Sequence, residues 1–306
     1  MYQYDPKTPR AQLHVHLDGA VAPETLMEID PKLTLVEIEA ATAHSDFAGF
    51  LKSFVWVNQY LKTPDDYARV ARHLFQTMEN QGVVYAEVTL SAGVVLWKQL
   101  PFAAIYDALQ REAARSRVKI RWILDAIRQF GPETAKPVFD LAAERVNDGV
   151  IAIGLGGDEE RGPALLFRDL FRDARGKGLR LVCHAGEMSG PKSVWDALEI
   201  GAERIGHGIR SIDDPALVAH LAARQIPLEV CITSNVRTGA VASLRDHPVK
   251  KLYDAGVPIV LDTDDPALFG CTLPGEYELA ACEFGFSEAQ MNGIAANSLR
   301  FAFTAP

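Results

Sequence analysis

The stretch "QLHVHLDG" (residues 12–19) alternates apolar side chains with two histidines. Successive side chains of a β-strand point to opposite faces, so His14 and His16 share one face. The opposite face is expected to carry Leu13, Val15 and Leu17. Two imidazoles on one face fit half of a metal site, and they also fit a pair of core histidines satisfied by hydrogen bonds. The stretch therefore predicts a buried strand, and its spacing alone leaves the role of the histidines open.

Seven further apolar runs follow, and helical patterns separate most of them. They are "VVYAEVTL" (83–90), "KIRWILDA" (119–126), "VIAIGLGG" (150–157), "LRLVCHAGE" (179–187), "ERIGHG" (203–208), "PLEVCITSN" (227–235) and "PIVLDTDD" (258–265). Parallel neighbours in a sheet need crossover connections, and helices supply them. Eight such strand–helix units predict an α/β protein built as a (β/α)₈ TIM barrel. The alternative is a doubly wound open sheet.

Residues 1–306 are expected to form one barrel domain, because no Pro- or Ser-rich linker or change of composition divides the chain. The first connection between strands is the longest, and it contains "AHSDFAGFLKSFVWVNQYL" (43–61). Its aromatic residues, which include Phe50 and Phe54, recur at helical spacing. This pattern predicts a helix that either packs as ordinary core or forms an apolar lid over a site.

The composition is typical of an ordinary globular protein, with 306 residues, 48% hydrophobic and 23% charged. Its formal net charge of −9 repels phosphate backbones, so nucleic acid is not an expected partner. No uninterrupted apolar run reaches the length of a membrane span, and the first residues lack the apolar core of a signal peptide. The four cysteines form no CxxC pair, which favours a reducing compartment. A cytoplasmic location is therefore expected.

Most of the unusual polar residues fall at the carboxyl ends of predicted strands. In chain order they are His14, His16, Asp18, Gly157, Asp158, Glu159, His184, Glu187, His207, Thr233, Ser234, Asn235, Asp264 and Asp265. Each could have an ordinary structural role, such as a helix cap or a hydrogen-bonded core histidine. In a barrel, however, the carboxyl ends of the strands meet on one face, which carries the catalytic groups of this fold. The pattern predicts a shared site there.

Three imidazoles and one carboxylate are a ligand set that zinc accepts, with one position left for water. The candidate ligands are His14, His16, His184 and Asp264. A second metal in such barrels commonly needs a bridging lysine at a middle strand end, and "LDAI" and "GLGG" contain none. The sequence therefore predicts one Zn²⁺ per chain and a barrel of the metal-dependent hydrolase type.

Hydrolysis at such a site needs two further groups. One must orient the water whose pKa the metal lowers, and His207 or Asp265 fits that role. The other must protonate the substrate as it is attacked, and Glu187 fits that role.

Five motifs together, "HVHLDGA", "HAGE", "RIGHG", "SNVRTG" and "DTDDPALFG", closely resemble the adenosine deaminase family of zinc-dependent aminohydrolases. The resemblance extends from about residue 11 to residue 300. It implies a (β/α)₈ barrel in which one zinc ion supports replacement of the 6-amino group of a purine by oxygen, with release of ammonia. The expected partner is a small purine nucleoside, and the oligomeric state stays open.

The resemblance also implies roles for individual residues. The zinc ligands would be His14, His16, His184 and Asp264. Glu187 would donate a proton to purine N1, while His207 and Asp265 would orient the hydroxide. Asp265 would also face the N7 edge of the purine.

The implied substrate contacts lie around these residues. The backbone of Gly157 would donate to purine N3, and Asp18 would meet the 5′ position of the sugar. Phe50 and Phe54 match the apolar helix that covers the ligand in family members.

Several positions depart from the pattern of members that act on adenosine. "EVTLSAG" (87–93) stands where "EVRYSP" is usual, and Gly154 stands where an aspartate is expected. Ile232 replaces a proline and Asp262 replaces an asparagine. "GLGG", "SVWDALEIGAERIGHG" and "DDPALFG" are similar to the bacterial branch that deaminates 6-amino-6-deoxyfutalosine.

Other activities remain as alternatives. The adenine deaminase branch fits less well, because Asp18 is expected to read a sugar. A different metal-dependent hydrolase on the same barrel, or a non-catalytic member that binds nucleosides, would also be compatible with parts of the pattern.

Overall fold

The computed structural model describes residues 2–304 and contains one eight-stranded sheet in which every neighbouring pair is parallel. The strands follow each other around the sheet in chain order. They are β1 (Arg10–His16), β2 (Val83–Leu90), β3 (Lys119–Ile127), β4 (Val150–Gly156), β5 (Arg180–Ala185), β6 (Arg204–His207), β7 (Leu228–Val230) and β8 (Ile259–Leu261).

Helices connect the strands. The first connection holds α1 (Pro23–Ile29), α2 (Leu35–Thr42), α3 (Phe47–Asn58) and α4 (Pro64–Asn80). The next connections hold α5 (Ala92–Trp97), α6 (Phe102–Ala113), α7 (Pro132–Glu144), α8 (Arg168–Gly176), α9 (Pro191–Glu199) and α10 (Pro215–Arg224). The last part of the chain forms α11 (Ile232–Arg237), α12 (Val249–Asp254), α13 (Pro266–Phe269), α14 (Leu273–Phe284) and α15 (Glu288–Arg300).

The end of the sheet meets its beginning. Asp264, just after β8, forms a parallel bridge with Val15 of β1. The backbone N–H of His16 donates to the carbonyl of Asp264 at 2.8 Å, and the N–H of Asp264 donates to the carbonyl of His14 at 3.1 Å. The predicted (β/α)₈ barrel is therefore confirmed, and the open sheet is excluded.

The structure corrects the predicted extent of the seventh strand. "PLEVCITSN" was expected to be a strand throughout, but β7 ends at Val230 and α11 begins at Ile232. The carboxylate of Glu276, on α14, accepts the backbone N–H of Ile232 at 2.7 Å and that of Thr233 at 3.3 Å. The N–H groups in the first turn of a helix have no hydrogen-bond partner within the helix, and here a residue 44 positions further along the chain supplies one.

The alternation predicted for β1 is wrong at Leu13. The pairing of β1 with β2 has a register irregularity between Gln12 and Val15, and Leu13 and His14 both line the same small cavity. Val15 and Leu17 belong to the main hydrophobic core, whereas Leu13 packs in a separate cluster. An irregular register lets two consecutive side chains face the same way, which strict alternation cannot reproduce.

A helix lies within the segment 43–61, as the aromatic spacing predicts. It is α3, and the side chain of Asp46 caps its start by accepting the N–H of Gly49 at 2.7 Å. α4 begins with a reciprocal capping box between Thr63 and Asp66 and buries its apolar face in the core. No helix within residues 2–304 is both long enough and apolar enough to cross a bilayer.

We expect Gly82→Ala to destabilise the fold by about 2 kcal/mol or more. Gly82 has φ +75° between α4 and β2, and an added Cβ would lie 1.9 Å from the carbonyl oxygen of Pro6, which is backbone and cannot rotate away. Gly176, at the end of α8, has open space around it, so Gly176→Ala is expected to be neutral or stabilising by up to ~1 kcal/mol. Thermal unfolding of both variants tests the difference, and equal midpoints would contradict it.

Candidate metal and catalytic centre

The four candidate ligands converge at the carboxyl end of the barrel, where β1, β5 and the turn after β8 meet. A ring nitrogen of each histidine and a carboxylate oxygen of the aspartate all lie within 4.8 Å of one another; the residues are His14, His16, His184 and Asp264. The Nε2 atoms of His14 and His16 each lie 3.3 Å from Oδ1 of Asp264. The barrel thus brings together residues separated by up to 250 positions.

This donor set fits a divalent cation. His14 Nε2 is buried and has no hydrogen-bond partner. His16 and His184 place their Nε2 atoms 3.1 Å apart. Burial lowers the pKa of His16 to about 4 and the pKa of His184 well below its ordinary value, so both rings are neutral and their nitrogens are free to act as ligands. A metal would satisfy all of these atoms.

The backbone is strained where these groups are held. Asp264 has φ +61° and His207 has φ +61°, a left-handed conformation that side chains with a Cβ rarely adopt. Such strain persists only where the surrounding structure enforces it. At Asp264 the bridge to β1 does so. Gly206 contributes space, because a Cβ there would lie 2.7 Å from the ring of His14.

A series of buried charged side chains inside the barrel contacts Nδ1 of His14, the ring nitrogen that faces away from the other candidate ligands. Nδ1 of His14 lies 2.9 Å from Oε2 of Glu229, and the other oxygen of Glu229 accepts from Arg204 Nε at 2.5 Å. Arg204 also donates to Glu87 at 2.5 Å. A carboxylate on the far nitrogen fixes the ring orientation and raises the basicity of the nitrogen that faces the site. The sequence analysis missed Glu229, although a lone carboxylate inside the apolar run "PLEVC" was a usable signal.

Glu187 is buried beside the ligand cluster. Burial raises the pKa of its carboxyl group well above the ordinary value, and the negative charges of Asp264 and Glu159 raise it further. Its Oε1 accepts from the hydroxyl of Thr238 at 3.3 Å, and its Oε2 lies 3.7 Å from Nε2 of His207. A carboxyl group kept neutral at this position can donate a proton.

Glu159 holds the loop that carries Glu187. Its carboxylate accepts the backbone N–H groups of Gly186, Glu187 and Met188 at 2.8–2.9 Å. It also accepts the hydroxyl of Ser193 at 2.5 Å. The sequence placed Glu159 at a strand end but gave it no role, because its partners come from the next strand and helix.

His207 is oriented by a residue of α11. Its Nδ1 lies 3.0 Å from the side-chain amide of Asn235, and burial lowers its pKa to about 4. With the amide donating to Nδ1, the ring proton sits on Nε2, which points toward Glu187 and Asp264. His207 is therefore a neutral donor at the edge of the cluster.

Asp265 lies next to the cluster and packs against Gly19 in the turn after β1. Its Oδ1 is buried without a partner, and a Cβ on Gly19 would lie 1.7 Å from that atom, so only glycine fits there. Burial and the charge of Asp264 raise the pKa of Asp265 well above the ordinary value. An unpartnered oxygen in this position can contact a ligand.

A cavity leads down to these groups, and its volume is about 800 Å³ when the open solvent at its mouth is included. Gly157, Phe50 and Phe54 all line it, as do His16, His184, Glu187, His207, Asp264 and Asp265. Phe50 stacks on Phe269 with ring centroids 4.9 Å apart, which fixes α3 against α13. α3 therefore forms one wall of the cavity.

Asp18 has a different environment from the other candidates. It is fully buried, is absent from the cavity lining, and accepts the backbone N–H of Ser91 at 3.0 Å. This contact ties the turn after β1 to the turn after β2. Its contact with a sugar stays a prediction.

Asp125, on β3, is a lining residue that the sequence analysis did not single out. Its carboxylate occupies the space over two glycines of β4, since a Cβ on Gly154 or Gly156 would lie 2.5 or 2.7 Å from it. Burial raises its pKa to about 7. The family resemblance implies an aspartate at position 154. In this chain, position 154 is glycine, and the carboxylate of Asp125 on the neighbouring strand β3 lies over it.

A parallel barrel that gathers imidazoles and carboxylates at the carboxyl ends of its strands is typical of hydrolytic enzymes. The family model described as "Adenosine deaminase" matches residues 9–306. An aminodeoxyfutalosine deaminase of Streptomyces avermitilis is 38% identical over 96% of this chain and 86% of its own length. An adenosine deaminase of Erwinia tasmaniensis is 36% identical over 98% of this chain and 95% of its own length.

Solved structures of a deaminase and of an amidohydrolase have the same fold as this chain. An adenine deaminase from Arthrobacter aurescens superposes with a TM-score of 0.90 at 28% identity, covering 97% of this chain and 94% of that one. An amidohydrolase from Burkholderia ambifaria with bound Zn superposes with a TM-score of 0.89 at 29% identity, covering 98% of this chain and 86% of that one. The chain belongs to the adenosine deaminase family, which confirms the resemblance, and it is a hydrolase that acts on C–N bonds in cyclic amidines.

We expect Glu87→Gln to lower stability by ~3 kcal/mol, because it removes one of the two counter-charges of the fully buried Arg204. The matched control is Glu203→Gln, which breaks the half-exposed pair with Arg180 and should cost ~1 kcal/mol or less. Thermal unfolding midpoints provide the measurement. Similar midpoints for the two variants would mean that the interior ion pairs do not stabilise the barrel.

Proposed function

We propose that this protein is a zinc-dependent hydrolytic deaminase of a 6-aminopurine nucleoside, converting an adenosine-type substrate to the inosine-type product and ammonia. The observation that carries the proposal is the convergence of three histidines and one aspartate beside Glu187, whose pKa burial raises, at the bottom of a cavity. Membership of the adenosine deaminase family supports it.

One zinc ion would be held by His14, His16, His184 and Asp264. Zinc at this position supplies the Lewis acidity that makes water a nucleophile at neutral pH. The unpartnered Nε2 of His14 and the carboxylate behind its Nδ1 support this ligand set. The relative from Burkholderia ambifaria with bound Zn supports the choice of metal.

The protein groups around the ligands divide the proton transfers. Glu187, kept neutral by burial, donates its proton to N1 of the purine, which makes C6 electrophilic. His207 and Asp265 orient the attacking water, because Nε2 of His207 lies 3.8 Å from Oδ2 of Asp264 and Asp265 lines the cavity beside it. The two protons of the water complete the balance: one replaces the proton that Glu187 gave to N1, and the other goes to the departing amino group. Ammonia then leaves from C6, and the 6-oxo purine remains.

The cavity walls position the purine and exclude water. The backbone N–H of Gly157 donates to N3, and the unpartnered oxygen of Asp265 faces N7. Phe50 and Phe54 of α3 cover the purine face, so that α3 acts as a lid. Burying an aromatic ligand under these side chains strengthens the electrostatic contacts beneath it.

The partner is a small purine nucleoside held inside one barrel domain, with no role for nucleic acid. The structure carries its cysteines as free thiols, two of them, Cys183 and Cys231, buried, which suits a reducing cytoplasm.

A second candidate substrate is 6-amino-6-deoxyfutalosine. The relative that deaminates aminodeoxyfutalosine is 38% identical to this chain, against 36% for the adenosine deaminase of Erwinia tasmaniensis. The carboxylate of Asp125 over Gly154 alters the cavity wall at a position where adenosine-specific members are expected to differ. Adenine is a third candidate, supported by the Arthrobacter aurescens structure.

Ammonia release from adenosine, 2′-deoxyadenosine, 5′-substituted adenosines and adenine, compared side by side, tests the proposal. We expect about one zinc per chain by elemental analysis, loss of activity after a chelator, and recovery when zinc is returned. A nucleoside should be turned over faster than adenine. The proposal fails if no 6-aminopurine releases ammonia, or if the metal-free protein retains full activity.

Glu187→Gln should lower kcat by about 10²–10⁴-fold while the zinc content stays at that of the wild type, because Gln keeps the shape but cannot supply a proton. Glu199→Gln is the control, since Glu199 pairs with Arg168 on the surface. Steady-state kinetics and elemental analysis measure both quantities. Undiminished turnover in Glu187→Gln would remove this residue as the acid.

A further inference from the structure

Two neighbouring histidines of the candidate centre have different groups behind their rings. The ring centroids of His14 and His207 lie 5.0 Å apart. Nδ1 of His14 lies 2.9 Å from a carboxylate oxygen of Glu229, whereas Nδ1 of His207 lies 3.0 Å from the side-chain amide nitrogen of Asn235. A carboxylate accepts a hydrogen bond and an amide nitrogen donates one. The two contacts therefore favour opposite tautomers, with the proton on Nδ1 in His14 and on Nε2 in His207.

The orientation of the Asn235 amide decides the tautomer of His207. Half a turn of the amide would present its oxygen to Nδ1 of His207 in place of its nitrogen, and the ring proton would then move to Nδ1. Asn235 is fully buried, so solvent does not orient the amide. Its Oδ1 lies 3.2 Å from Nε2 of His247, which is also buried. The position of the proton on His247 therefore fixes the amide.

A backbone N–H fixes the proton on His247. Proline at position 248 has no N–H, so Val249 provides the first backbone donor of α12. This N–H donates to Nδ1 of His247 at 3.2 Å. Burial lowers the pKa of His247 to about 3, so the ring is neutral and carries a single proton. Because Nδ1 accepts, the proton lies on Nε2 and faces Oδ1 of Asn235.

We propose that Asn235 and His247 are positioning residues that hold the ring proton of His207 on Nε2, and that the N–H of Val249 sets the direction of all three hydrogen bonds. A backbone N–H can only donate, so each contact in the series is determined by the one before it. We call these four residues, Val249, His247, Asn235 and His207, the orienting series.

The orienting series keeps His207 from acting as a metal ligand. His207, Cys231 and Asp264 form a second group whose potential ligand atoms all lie within 4.8 Å of one another. A proton on Nε2 occupies the lone pair with which His207 would bind a cation there. His14, with a carboxylate at Nδ1, keeps the lone pair of its Nε2 free for a cation. The group behind each ring thus makes His14 a ligand and His207 a donor.

The inference deepens the proposed function and rests on it only for its consequence in catalysis. In the proposed reaction, Nε2–H of His207 donates to the oxygen of the attacking water and cannot take up the proton of that water. The orienting series makes no contact with the purine in this scheme. Its loss should therefore lower kcat and leave KM nearly unchanged.

Long-range ¹H–¹⁵N NMR spectra of the zinc-bound protein test the assignment, because protonated and unprotonated ring nitrogens differ widely in chemical shift. The variants His207→Asn and His247→Gln each remove one ring and so identify the signals. In the wild type we expect both His207 and His247 to carry their protons on Nε2, with Nδ1 unprotonated. A wild-type His207 that carries its proton on Nδ1 would overturn the proposal.

Three variants separate orientation from packing. Asn235→Asp keeps the shape but places a carboxylate behind His207, so we expect a proton on Nδ1 and a kcat about 10²-fold lower, with KM within about threefold of the wild type. His247→Leu removes the donor to Oδ1, and the Nδ1–H form of His207 should appear. His247→Gln restores an N–H donor and should restore the wild-type form. An unchanged His207 spectrum in Asn235→Asp or in His247→Leu would overturn the proposal, as would a His247→Gln spectrum like that of His247→Leu.

The control variant is His220→Gln. His220 is a half-buried histidine of α10 whose ring lies 5.1 Å from that of Trp195. This change should leave both the His207 signals and kcat as in the wild type. The NMR result is independent of the proposed function. The expected spectra of the wild type and of the variants support the orienting series even if no 6-aminopurine releases ammonia, an outcome that would overturn only the deaminase assignment.

Discussion

Two backbone hydrogen bonds between the first strand and Asp264 hold the centre together. They close the barrel, and they do so at the residues that carry three of the four candidate ligands, His14, His16 and Asp264. Closure and assembly of the site are therefore one event. The left-handed backbone of Asp264 is the conformational cost of placing its carboxylate on the inside of this seam. A cation bound there would in turn stabilise the closed barrel, since it binds only the folded chain.

The interior of the barrel is divided between two kinds of polar chemistry. Toward the amino end, Glu87, Arg204 and Glu229 neutralise one another, and Phe303 covers the guanidinium at 3.7 Å. Toward the carboxyl end, polar atoms such as Oδ1 of Asp265 are left without partners. Buried polar groups are ordinarily satisfied, so an unpartnered carboxylate oxygen beside the candidate ligands fits a contact with a bound ligand. Glu229 links the two regions through His14.

The cavity combines a reactive floor with an apolar approach. Carboxylates and imidazoles lie at the floor, whereas the wall above them is apolar and includes Phe47, Phe50 and Phe54. Different elements thus carry the polar floor and the apolar wall. The loops after β5, β6 and β8 provide the first, and α3, α5 and the turn after β3 provide the second.

Local sequence determined the strand order, the helix in residues 43–61 and the identity of the residues that meet at the centre, because side-chain periodicity and residue type are local properties. It did not determine which face of β1 carries the side chain of Leu13, because a register irregularity depends on the neighbouring strand. It also missed the end of β7, which a carboxylate 44 residues away caps as a helix. The roles of Glu229 and Asp125 were hidden for the same reason. Their partners are distant in the chain, and only closure of the barrel brings them into contact.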